Sequence, residues 1–503
     1  MPKPSPALAA AAILAAAVVA APLVFLFREL LGAPPEAVSR ALLRPATRVQ
    51  VVNTLTLTLA VTATTLVLGV ATAFAVTRLR LWAGRLWWLA ATLPLAVPSY
   101  VAGIAWVDLT SLRGFAGSWL VLVLATMPYV TLPTAAAFRR ADRSYEHVAR
   151  TLGQGPVRSF SSMTLPQVAP AAGAGALLVA LYCIAEYGVV AVMRYPTLTT
   201  AVQQAFAGSF NRSLAVVLAV ILVVIALVVV VGERIARRPV ITSRSGNDVN
   251  APIELPAWLH VLVGAALFSV FAAAVLMPLT AFLLRLSRSM AGGEVEWARM
   301  LQAAAVTLAL GFGGALIATV MALPVSMLAA RHRGRLVGGL ETLTFLGHGL
   351  PGIVIGLSMV YIALAFAPGL YQTTTLLVIA YGIMFVPKAT GSARSAIAQV
   401  PVSYEDVART LGRGPRRVWT DVTARIAWPG ITAGALIVAV TIMKELPATL
   451  MMRPIGTDTL ATRLWQLTDI QAFGAAAPYA LLLIAVAAVP AMALARSPEG
   501  SQP

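Results

Sequence analysis

Twelve apolar runs, nearly free of charge, dominate this chain, and each is close to the ~20 residues that a helix needs to cross roughly 30 Å of hydrocarbon. They lie near residues 8–27, 52–76, 86–107, 115–138, 171–193, 213–232, 257–284, 301–328, 342–366, 370–387, 431–452 and 475–495. Lipid offers the backbone no hydrogen-bonding partner, so runs of this length must satisfy their own amides as helices. The expected fold class is an all-α polytopic membrane protein with about twelve transmembrane helices in two tandem six-helix halves. Composition agrees, since 59% of residues are hydrophobic, 11% are charged and mean hydropathy is +0.84. The first run follows Lys3 and is rich in alanine, yet Arg28 comes after it without a small-residue cleavage site, so it reads as a retained helix rather than a signal peptide.

The halves are related by an internal repeat. Ser144 to Arg158, SYEHVARTLGQGPVR, returns 259 positions later as SYEDVARTLGRGPRR, Ser403 to Arg417, with 12 of 15 positions identical. A charged stretch used twice between apolar segments marks two versions of one membrane unit. Between the halves, residues 233–256 carry the Ser, Asn, Pro and charge content of a linker. An even number of spans per half gives both halves the same orientation, which implies a pseudo-two-fold axis along the membrane normal.

Basic residues collect in alternate loops: Arg78, Arg80 and Arg85; Arg139, Arg140, Arg143, Arg150 and Arg158; Arg234, Arg237 and Arg238; then Arg331, Arg333 and Arg335, and Arg394, Arg409, Arg413, Arg416 and Arg417. By the positive-inside rule these loops, the repeated stretches and both termini are expected in the cytoplasm. The net charge of +18 is thus a topology signal and an attraction to anionic lipid headgroups, with no nucleic-acid partner expected. Cys183 is the only cysteine and lies in an apolar run, where a small buried hydrophobe is its expected role. His147, His260, His332 and His348 share no ligand spacing, and no Walker-type loop, nucleophile elbow or HExxH pair occurs, so no catalytic residue, cofactor or metal is assigned to the chain.

A loop of the form E-x-x-A-R-T-L-G followed by a second glycine and a proline resembles the EAA loop of binding-protein-dependent ABC importer permeases. The resemblance covers both halves: a first permease domain at 1–232 with its loop at 139–170, a cytoplasmic linker at 233–256, and a second permease domain at 257–503 with its loop at 391–430. It implies a bacterial inner-membrane transport subunit in which each loop forms a coupling helix seated in a groove of a cytosolic ATPase. ATP and Mg would then be held by that partner, and a periplasmic or lipid-anchored binding protein would deliver the substrate. Near-identity of the loops favours two copies of one ATPase.

Carried onto this sequence, the coupling residues are Glu146, His147, Ala149 and Gly153 in the first loop and Glu405, Asp406, Ala408 and Gly412 in the second. Tyr145, Val148, Ala149 and Leu152 fall at helical spacings, so one apolar face is expected to await a partner. The alanines are small enough for close approach of another backbone, and the glycines can take the positive φ that ends a helix. Aligned to the family's E-A-A pattern, the acidic position falls on His147 and Asp406, with Glu146 and Glu405 one residue earlier, and either position could supply the acid. Leu165–Pro166 matches the family's closing pair, whereas the second half has Ala424 and Arg425 there, so the two loops are similar and not equivalent.

Glu186 and Glu445, and Arg194 and Arg453, recur at the same 259-residue offset beyond the loops. An acid within a span faces protein or a water-filled cavity. Two readings stay open: a cation pathway or ion-paired gate, and a structural salt bridge to Lys444, Arg194 or Arg453. Pro94, Pro98 and Pro351 should break or kink their helices. The run KELPATLMMRP followed by DTLATRLW resembles the ferric-iron importer permeases, with the thiamine permeases near relatives; thiamine or polyamines are the alternative substrates. An ion-coupled secondary transporter, which can also have twelve spans in two parallel halves, is the alternative of another class.

Overall fold

The computed structural model describes residues 5–142, 144–236, 253–292 and 296–495. Most of the linker, together with Lys3, Arg143, Arg237, Arg238 and Asn250, lies outside the described residues. In chain order the principal helices are α1 (Pro6–Gly32), α2 (Pro45–Arg78), α3 (Gly84–Thr92), α4 (Ser99–Thr110), α5 (Gly114–Arg140), α6 (Ser144–Thr151), α7 (Leu165–Ala185), α8 (Gly188–Val192) and α9 (Arg212–Ala236). The second half supplies α10 (Ala257–Ala291), α11 (Trp297–Arg331), α12 (Arg335–Leu346), α13 (Gly352–Phe366), α14 (Thr374–Ala398), α15 (Val402–Thr410), α16 (Ala424–Met443), α17 (Pro447–Met452) and α18 (Phe473–Ala495). Among the described residues there is no strand, only an isolated parallel bridge between Leu79 and Ile253.

Among the described residues nine helices are long and apolar enough to cross a membrane, or ten if α3 and α4, which meet at a bend of 92°, are one span. The shorter apolar helices Gly352–Phe366 and Phe473–Val489 occupy the places of the ninth and twelfth apolar runs. The run at 86–107 is therefore divided in two: Pro98 has no amide hydrogen to continue a helix and N-caps α4 in extended conformation. Pro351 does the same for α13 after a single 3-10 turn at Gly347–Gly349. The runs at 171–193 and 431–452 are also divided, ending as long helices at Ala185 and Met443 before the short α8 and α17.

Two compact units form, and they do not coincide with the two halves of the sequence. One comprises residues 44–201, 224–295 and 472–503; the other comprises residues 1–43, 202–223 and 296–471. Each unit is thus built on the middle spans of one half and receives end spans from the other. In the unit built on α11 to α17, Ala12, Ala15 and Ala16 of α1 pack on Val325 and Leu328 of α11 and Val337 and Leu340 of α12. In the unit built on α2 to α8, Arg285 of α10 donates to Asp108 at the end of α4 with bonds of 2.8 and 2.5 Å. The same Arg285 lies 5.8 Å from the ring of Phe473 in α18.

Close helix contact in each unit depends on small residues, the packing mode expected in lipid. Gly175 of α7 abuts the backbone of α5, where an added Cβ would lie 2.6 Å from the Tyr129 carbonyl oxygen. Equivalent threonines tie equivalent loops: Leu198 N donates to Thr54 Oγ1 at 3.0 Å in one unit, and Leu460 N to Thr307 Oγ1 at 2.9 Å in the other. Ile253, at the end of the linker, exchanges backbone hydrogen bonds with Arg78 and Arg80. This contact brings the linker's end against the first basic loop.

Candidate functional site

Each repeated loop folds as a short helix held to its own unit by a buried glutamate. Glu146 of α6 accepts from Arg150 Nη2 at 2.7 Å, one helical turn on, and from Thr164 Oγ1 at 3.0 Å. In α15, Glu405 accepts from Arg409 Nη2 at 3.1 Å and from Thr423 Oγ1 at 2.7 Å. Both threonines end five-residue π-helical turns, Phe160–Thr164 and Trp419–Thr423, whose wider winding re-aims the side chain. Glu405 takes a further bond from Arg331 Nε at 2.9 Å, while Arg331 Nη2 donates to the Val400 carbonyl at 2.9 Å.

The two candidate acidic positions differ in their surroundings. Glu146 and Glu405 are buried and multiply bonded, whereas His147 is exposed and Asp406, also exposed, pairs with Arg409 at 2.6 Å. Asp142 accepts from Ser144 N at 2.8 Å at the start of α6, and the Ser144 hydroxyl and amide hold its carboxyl below the ordinary carboxylate range. Gly153 and Gly412 close the two helices at φ +83° and +79°. There the chain reverses with Gln154 N bonded to Ala149 O and Arg413 N to Ala408 O, each at 3.0 Å.

The expected single apolar face is corrected by the structure. Ala149 and Ala408 turn inward with the glutamates and are buried against their own unit, because a small side chain fits where the helix lies over the π turn. The exposed apolar surface is Tyr145, Val148 and Leu152 in α6 and Tyr404, Val407 and Leu411 in α15; the two leucines are 78% and 77% exposed. The alanines thus seat the helix on its own protein, and the three larger side chains are left exposed.

Glu186 and Glu445 are both buried, and each sits at the break between a long helix and a short one. Glu186 accepts from Val189 N at 2.9 Å and Ser99 Oγ at 3.0 Å, and Ser99 in turn accepts from Tyr182 Oη at 2.8 Å. Glu445 accepts from Ala448 N at 2.9 Å, Thr449 N at 3.0 Å and Thr449 Oγ1 at 2.6 Å. The carboxylates therefore satisfy the free amides that begin α8 and α17. Among the described residues neither forms the salt bridge considered from sequence. Arg453 pairs with Asp458, and Arg194 is exposed at φ +55° just past α8. Gly352 occupies the place that Ser99 holds in the first half, and a Cβ there would approach Glu445 Oε1 to 3.1 Å.

Sequence reasoning did not single out Thr164 and Thr423, nor the hydroxyls of Ser99, Tyr182 and Thr449. The two loop threonines keep the 259-residue spacing and could have been found by extending the repeat past Arg158. Ser99 comes from a distant helix, and no spacing reveals it.

The comparisons with known proteins agree with the doubled architecture. The model of the family "Binding-protein-dependent transport system inner membrane component" matches twice, at residues 65–239 and 322–496. The Fe(3+)-transport system permease protein FbpB 2 of Haemophilus influenzae is 32% identical over 461 residues, covering 90% of each chain. The molybdenum transport system permease protein ModB of Mycobacterium tuberculosis is 28% identical over 275 residues, covering 50% of this chain and 99% of its own. The sulfate transport system permease protein CysT of Escherichia coli is 30% identical over 114 residues, or 20% of this chain and 41% of its own. With the family's domain present in both halves and a relative similar along nearly the whole length, this chain belongs to the binding-protein-dependent transport system inner membrane components, the permeases of ABC importers.

Proposed function

We propose that this permease carries ferric iron inward, that a separate binding protein delivers the iron, and that α6 and α15 each dock one copy of a cytosolic ATPase that supplies the energy. The observation that carries the iron reading is the 32% identity to a permease named for Fe(3+) transport, sustained over 90% of both chains. The docking reading rests on two helices of matching construction, each anchored inward by a buried glutamate and presenting Tyr, Val and Leu outward. An apolar triad on a helix in a basic loop is unfavourable in water and is covered when a groove receives it. The Arg clusters support cytoplasmic placement of both helices and both termini. A secondary transporter needs no such helices.

The test is uptake of radiolabelled ferric iron by cells that contain or lack this chain, with the ATPase and binding protein present in both. Iron accumulation that depends on the chain and on ATP is the expected result. Equal accumulation in the two strains removes the iron reading. One observation favours a second cargo class: the molybdenum permease matches half of this chain over 99% of its own length. Labelled molybdate is therefore the control substrate in the same assay.

A further inference from the structure

The second half carries two intramembrane lysines for which the transport machinery described so far has no use. Lys388 lies in the middle of α14 and Lys444 at the C-terminal end of α16. Lys388 Nζ donates to Thr441 Oγ1 at 3.1 Å, and the Thr441 hydroxyl hydrogen is directed to the Ile437 carbonyl at 2.7 Å. Lys444 follows Thr441 by three residues and so lies on the same face of the helix as the hydroxyl that Lys388 holds. An ammonium has three hydrogens to donate. Among the described residues Lys388 uses one, on Thr441, and Lys444 forms no side-chain hydrogen bond or ion pair. The nearest acid in sequence, Glu445, spends both oxygens on the start of α17. The adjoining α13 and α17 contain no charged residue.

The first half shows that the fold does not require this pair. At the positions equivalent to Lys388, Thr441 and Lys444 it has Tyr129, Tyr182 and Ala185, and the two tyrosine rings pack with centroids 5.8 Å apart. Two ammonium groups placed together within a span are costly unless they serve a path or a ligand, and together they repel a bare trivalent cation. We propose that Lys388, Thr441 and Lys444 form a binding site for an oxyanion, so that the cargo passes this point either as a free oxyanion or as a metal ion carrying one. This deepens the import reading, on which it rests, by fixing the charge character of what is carried.

The experiment uses the full chain reconstituted in proteoliposomes with its ATPase and binding protein. ATP-dependent uptake of labelled ferric iron, labelled inorganic phosphate and labelled molybdate is measured for the native chain, for K388Q and K444Q, and for the double variant K388Y/K444A. The double variant copies residues of the first half and so guards against a folding defect, and membrane abundance is quantified for each. Losing charge-assisted bonds should lower uptake per folded molecule by roughly tenfold to a hundredfold. Iron uptake that rises with phosphate, carries label from phosphate inward and falls in the variants supports a metal-bound oxyanion. Lysine-dependent uptake of molybdate or phosphate without iron supports a free oxyanion and overturns the iron reading alone. Native iron uptake per molecule in the variants, or a fall that shows neither phosphate dependence nor anion uptake, overturns the oxyanion site and leaves the import reading standing.

Discussion

Glu405 and Asp406 are neighbours in sequence with opposite fates. The first is buried among Arg331, Arg409 and Thr423, and the second is exposed with one surface ion pair. Neutralising Glu405 leaves Arg331, itself largely buried, without its carboxylate, a change that costs roughly 3 kcal/mol. Losing the exposed pair of Asp406 costs less than about 1 kcal/mol. Glu405→Gln should therefore lower the thermal unfolding midpoint of the purified permease clearly, while Asp406→Asn leaves it nearly unchanged; equal shifts would refute the assignment of the anchoring acid. The capping carboxylates give a second prediction at this scale. A glutamine at 445 retains one acceptor oxygen where the native side chain receives three bonds, so Glu445→Gln should reduce the amount of folded protein more than the uptake rate per molecule. Normal abundance with lost uptake would instead return Glu445 to the pathway.

Among the elements, α6 and α15 divide their work by face: Glu and Ala inward, Tyr, Val and Leu outward. Leu152→Asp and Leu411→Asp change only exposed atoms, so each should weaken retention of the ATPase in co-purification while membrane abundance stays normal. Unchanged retention in the double variant would remove the docking role. Gly412→Val acts differently. A Cβ there meets no atom within 4 Å, yet φ is +79°, so the cost is backbone strain of about 1–2 kcal/mol confined to the end of α15. Transport should fall in this variant, and insertion should not. The periodicity of the loop made the helix and its terminal glycine legible in the sequence, because both follow from local rules. It could not tell Ala149 from Val148, since both lie on the apolar arc and only the seat beneath the helix decides which one turns inward. The breaks at Pro98 and Pro351 were legible for the same local reason. The 92° angle and the Ser99 bond to Glu186 were not, because they depend on a neighbouring helix far away in the chain.

For the whole molecule, the repeat reveals two copies of one unit, and it is silent about which end spans each copy uses. Apolar patterning places α1 in the membrane but carries no address, because its alanine stripe would suit several partners. In the structure that stripe packs on α11 and α12 of the second half, and Arg285 of the second half seats on Asp108 of the first. Neither compact unit can then be completed from one half of the sequence alone. A chain divided in the linker, as residues 1–236 and 253–503, provides the test. Expressed singly, each part leaves the apolar seats of its missing end spans open to lipid and Asp108 or Arg285 without its partner, so each should accumulate poorly and be degraded. Expressed together, the parts should assemble, and a tag on one should recover the other at near equal amount from detergent. Independent accumulation of residues 1–236 as a protease-resistant species, with no recovery of the second part, would show that the end spans belong to their own half and that the exchange is wrong.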